Sequence, residues 1–149
     1  MIRQNRIWVL GLATAMVVAV AGCSGGSTPA PSTAGGAGAA TVDVTLAEWS
    51  VTPSTTTAAA GAVTFSVSNE GTTVHELIVV KTDTKADALP VAGAKVDEAG
   101  LTVVDEVEDV AAGTTADLAL TDMVAGHYVI FCNIEGHYGQ GMRADFDVK

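Results

Sequence analysis

The chain has 149 residues, 48% of them hydrophobic, and a formal net charge of −10 from 7 Lys and Arg against 17 Asp and Glu. That length holds one domain and little more. So acidic a balance excludes binding of nucleic acid or anionic lipid by electrostatic attraction, and favours basic partners or simple solubility.

The first segment reads as an address. Arg3 and Arg6 precede an apolar run from Ile7 to Ala21, shorter than the ~20 residues of a spanning helix and shaped like the core of a signal peptide. The run ends Val20-Ala21-Gly22-Cys23, small residues before a cysteine, as in a bacterial lipoprotein signal whose cysteine is lipidated and becomes the first residue of the mature protein. A plain secretory signal also suits the small residues but leaves Cys23 idle, so the lipoprotein reading is preferred. Ser24 to Ala40 contains only Gly, Ser, Thr, Pro and Ala. Such a stretch cannot bury apolar surface and reads as a flexible tether reaching about 23 Å on average. The expected division is signal peptide 1–22, tether 23–40 and folded domain 41–149, with the domain anchored to the membrane and facing outside the cytoplasm.

From Thr41 onward the pattern has period two. Val42, Val44 and Leu46 alternate with Asp43 and Thr45; Val63, Phe65 and Val67 alternate with Thr64 and Ser66; Leu118 and Leu120 alternate with Asp117 and Ala119. Met142, Ala144, Phe146 and Val148 do the same at the end of the chain. These read as half-buried strands. The segments Val74–Lys81, Leu101–Val110 and Tyr128–Cys132 add three more, with turn signals at Gly61, Asn69-Glu70-Gly71, Gly113 and Ala125-Gly126. Thr84 to Gly100 breaks the rhythm and reads as a short helix or irregular crossover. Trp49 reads as core, and the acidic cluster Asp105, Glu106, Glu108 and Asp109 as a solvated strand edge. The whole predicts an all-β, Greek-key sandwich of about seven strands.

The chain has two cysteines. If Cys23 carries lipid, Cys132 has no disulfide partner, and a lone thiol in an exported protein needs a reason: inert burial or a metal thiolate. Of the three histidines, His127 lies on the strand leading to Cys132. Side chains alternate along a strand, so Tyr128, Ile130 and Cys132 share one face, while His127, Val129 and Phe131 share the other. His127 is therefore set aside as a surface or sheet-packing residue. His75, Cys132, His137 and Met142 remain. Two imidazoles, a thiolate and a thioether match a trigonal blue-copper set with a weak axial methionine. Zinc accepts His₂Cys, but a thioether suits it poorly as fourth ligand.

The chain is similar to small cupredoxins of the plastocyanin and azurin superfamily. The residues that carry the likeness are Asn69-x-Gly71-x-x-x-His75, Gly126-x-Tyr128-x-x-Phe131-Cys132 and Cys132-x₄-His137-x₄-Met142, within Thr41 to Lys149. The spacing between Cys132 and His137 is longer than in plastocyanin and resembles auracyanin, rusticyanin and sulfocyanin-like proteins. The resemblance implies one type 1 copper and an electron carrier without enzymatic turnover, serving redox partner proteins. Electrons would pass at the His137 ring edge, amid Ile134 and Tyr138. Relatives often carry Asn or another small polar residue after the first ligand histidine, bridging the two ligand loops; here that position is Glu76. A proline frequent in the ligand loop gives way to Glu135. The rival function is copper storage or delivery. A copper oxidase or nitrite reductase would need a second copper centre or substrate site, for which the sequence has no spare histidine cluster.

Overall fold

The computed structural model describes residues 39–149. The expected signal peptide, Cys23 and most of the tether lie outside them. In chain order the strands are β1 (Ala40–Ala47), β2 (Ser50–Pro53), β3 (Thr57–Ala58), β4 (Gly61–Asn69), β5 (His75–Lys81), β6 (Val91–Ala92), β7 (Lys95–Val96), β8 (Thr102–Val110), β9 (Thr115–Met123), β10 (Gly126–Phe131) and β11 (Arg143–Val148). A single helical turn, α1 (His137–Gln140), lies between β10 and β11.

Two sheets face each other, in the order β2-β1-β4-β9 and β3-β11-β10-β5-β8. β1 runs parallel to β4, and β11 parallel to β3. The remaining pairs in these sheets are antiparallel. The architecture is the expected all-β sandwich, and its seven longest strands are the predicted ones. Alternation explains the layering. Val42, Val44, Leu46, Val63, Phe65 and Val67 point inward from one sheet, and Leu77, Val79, Tyr128, Ile130, Phe146 and Val148 meet them from the other. Phe65 and Phe146 join the two sheets edge to face, with ring centroids 5.2 Å apart. Truncating Phe65 to alanine would cost about 3–5 kcal/mol through the cavity it leaves.

The second sheet is covered on its outer face as well. Ile78, Val80, Val129 and Phe131 form a second core with Ala86, Leu89, Val96 and Tyr138. The crossover from Thr84 to Gly100 supplies three of those residues. It is irregular, with the small β6–β7 hairpin and a 3₁₀ turn at Glu98–Gly100. Burial on both faces is why β5 and β10 read as nearly continuous apolar runs. β8 stands at the sheet edge, and Asp105, Glu106, Glu108 and Asp109 are exposed there. Charges on an edge strand oppose pairing with another chain. No helix among the described residues is long and apolar enough to cross a membrane.

Candidate metal centre

The three strong ligand candidates come from two loops at one end of the sandwich. Asn69, 1% exposed, shapes the first. Its Nδ2 donates to Thr73 O (2.8 Å) and Val110 O (2.7 Å), and its Oδ1 accepts from Gly71 N (2.9 Å). One amide thus satisfies two backbone groups of the turn and one at the end of β8, and the turn presents His75 as the first residue of β5. The second loop opens as β10 ends. Cys132 N donates to Met142 O (3.0 Å), and Met142 N donates to His137 O (3.2 Å), closing the loop on itself. The α1 turn returns His137 toward Cys132. Gly141, at φ +126°, makes the exit possible: a Cβ there would meet the Trp49 carbonyl oxygen at 2.9 Å.

His75, Cys132 and His137 converge. His75 Nδ1 lies 3.2 Å from His137 Nδ1, and Cys132 Sγ lies 3.5 Å from that same nitrogen. All three ligand atoms fall within 4.8 Å of one another. His75 and Cys132 are fully buried, and His137 is 9% exposed. Burial pushes the Cys132 thiol up, against the pull of the Glu76 and Ile134 backbone N–H groups. Burial also lowers His137, with the neighbouring His75 adding to it. The site therefore disfavours the protonated form of the His137 imidazole, and its thiol would give up its proton when a cation replaces the missing solvation. Two imidazoles and a soft sulfur fit one type 1 copper ion. Met142 is fully buried beside Cys132 and His137 along the backbone.

His127 stands apart, on the opposite face from Cys132 as strand parity predicts. Its Nδ1 pairs with Asp147 Oδ1 at 2.9 Å, and Nε2 lies 3.1 Å from Asp145 Oδ1. Glu76 makes the bridge that its position raised: its carboxylate accepts from Asn133 N (2.9 Å), the residue after Cys132. A glutamate thus ties the two ligand loops, and its burial raises its pKa.

Two expectations are corrected. Tyr138 is not a surface neighbour of His137. It is 4% exposed, with its hydroxyl donating to Ala86 O (2.6 Å) and accepting from Leu89 N (3.0 Å). The helical turn sends consecutive residues in different directions, so His137 joins the centre and Tyr138 the outer core. Trp49 is not core. It is 42% exposed and stands edge-on to His137, with ring centroids 5.1 Å apart.

One residue escaped the sequence reading. Glu48, in the β1–β2 turn, accepts from Thr72 N (2.8 Å), Thr73 N (3.0 Å) and the Thr73 hydroxyl (3.1 Å). The Thr72 amide is the main cause of its pKa falling to about 2. Its Oε1 lies 3.4 Å from His75 Nε2.

A family model described as the sulfocyanin (SoxE) domain matches residues 54–149. The chain belongs to the sulfocyanin family. Solved structures share the fold of this sulfocyanin domain. Reduced auracyanin from the photosynthetic bacterium Roseiflexus castenholzii is 18% identical at a TM-score of 0.56, covering 75% of this chain and 99% of that one. Auracyanin A, a "blue" copper protein of Chloroflexus aurantiacus, is 23% identical at 0.54, covering 75% and 100%. Reduced rusticyanin is 22% identical at 0.52, covering 73% and 79%. No curated protein sequence matches the chain significantly.

Proposed function

We propose that this protein is an extracytoplasmic electron carrier, anchored to the membrane through lipid on Cys23, that moves single electrons at one blue-copper centre. The observation that carries the reading is the buried convergence of His75, Cys132 and His137. Bound copper supplies a one-electron couple between Cu(I) and Cu(II). Cys132 would hold the ion as a thiolate, His75 and His137 would hold it through ring nitrogens, and Met142 would add a weaker thioether that tunes rather than holds the metal. The ends of β5 and β10 place His75 and Cys132, and the backbone bonds between Cys132, His137 and Met142 close the loop that carries the other two, an arrangement that would limit rearrangement on a change of charge. Burial of the donors excludes water.

The path outward runs from His137 to the exposed indole of Trp49. Ile134 flanks the loop, and Glu135 is exposed beside it, where it favours a partner carrying positive charge. The redox partners are proteins that present a basic, otherwise apolar contact. Export rests on the N-terminal signal pattern.

The test is the visible spectrum of the copper-loaded domain, followed by electron self-exchange and copper transfer to a chelator. An intense thiolate-to-Cu(II) band, fast exchange and slow copper loss are expected. Absence of the band removes the copper reading. Fast copper loss with sluggish exchange replaces the carrier with a storage or delivery protein.

A further inference from the structure

The two ring nitrogens of His75 face different surroundings. Nδ1 turns toward His137, while Nε2 is buried with no hydrogen-bond partner among the described residues, and a carboxylate oxygen of Glu48 stands 3.4 Å from it. That carboxylate is not loose. Two backbone amides and a hydroxyl of Thr72 and Thr73 hold Oε1 in place, and its side chain is 24% exposed. Gly71 leaves room for the approach. A Cβ at that position would stand 2.8 Å from each Glu48 carboxylate oxygen and 2.9 Å from His75 Nε2. The glycine of the Asn69-x-Gly71 turn is therefore required by this contact, beyond any need of the turn itself.

A carboxylate behind a ligand imidazole does two things. It accepts a hydrogen bond from the outer N–H, which settles the tautomer and leaves the inner nitrogen as a lone-pair donor. Its charge also makes the ligand more basic and favours the more positive state of a bound ion. Glu48 lies outside residues 54–149, the span shared with the sulfocyanin family model.

We propose that Glu48 is a positioning residue of the metal centre: it holds the Nε2–H tautomer of His75, aims Nδ1 at the metal, and biases bound copper toward Cu(II). The effect on copper rests on the function proposed above, whereas the effect on the tautomer does not.

The experiment uses the full chain, wild type and Glu48→Gln, first without metal and then with copper. Glutamine keeps a carbonyl oxygen for the Thr72 and Thr73 amides but removes the charge. Nitrogen NMR of the metal-free wild type should show His75 protonated on Nε2; protonation on Nδ1 overturns the proposal. With copper, Glu48→Gln should raise the reduction potential and weaken Cu(II) affinity roughly tenfold, the low end for loss of such a partner, in chelator competition. Unchanged potential and affinity overturn the proposal. A wild-type protein that binds no copper removes the copper-carrier reading, and the tautomer measurement still decides the role of Glu48.

Discussion

Trp49 presents its indole edge-on to the imidazole of His137, the planes 78° apart, although the two residues come from opposite ends of the domain sequence. The indole lies between the buried ligand and solvent. Trp49→Ala should slow electron self-exchange, measured by NMR line broadening in mixed-valence samples, and leave the blue band in place. Its effect on stability should be small, about 1 kcal/mol from the lost aromatic pair. Unchanged exchange would take Trp49 off the route.

Cys132→Ser should bind copper without the intense visible band, since oxygen lacks the thiolate charge transfer, and should still fold. Met142→Gln should retain copper and lower the reduction potential, because the axial donor tunes a site held by the other three. Loss of copper from Met142→Gln would make Met142 a holding ligand.

Tyr138→Phe should destabilise the metal-free domain by about 1–3 kcal/mol in urea unfolding, the cost of leaving Leu89 N and Ala86 O buried without their partner. Tyr138→Lys should prevent folding, whereas an exposed residue at that position would tolerate lysine.

Acid should weaken the β1–β2 turn in a defined window. The pKa of Glu48 falls from 4.5 to about 2, chiefly through the Thr72 amide. A carboxyl depressed on folding contributes stability above its unfolded value and loses it as pH falls through the folded value. The metal-free wild type should therefore exceed Glu48→Gln in stability near neutral pH, and the gap should close between about pH 4.5 and 2. A gap that stays constant over that range would show that charge on Glu48 is not what stabilises the turn.

Cys23→Ala should abolish lipid modification and release the domain from the membrane fraction. Mass spectrometry of the wild-type mature protein should find lipid on Cys23; an unmodified mature form reduces the segment to an ordinary secretory signal.

The strands were legible because each of the long ones buries one side or both, and that leaves a period of two or an unbroken apolar run. The ligand triad was legible because cysteine and histidine are scarce and lie at spacings that only a loop between neighbouring strands accommodates. Trp49 and Tyr138 were misplaced for a different reason. Both lie in tight turns, where direction depends on backbone geometry and not on alternation, and a large aromatic ring alone does not say which way it faces. Glu48 left no local trace at all. Its role depends on Thr72, Thr73 and His75, brought to it by the pairing of β1 with β4, and no short pattern connects those positions.

The hydroxyl of Tyr138 stitches the ligand loop to the crossover through Ala86 and Leu89. Heredity acts on that stitch as well as mechanics. Residues 84–100 include none of the ligand candidates, yet a change that shifts the Ala86–Leu89 backbone pulls on the neighbour of His137. Descendants of this chain can lengthen or rewrite the crossover only where the ligand loop changes in step, so the two segments should drift together through a lineage.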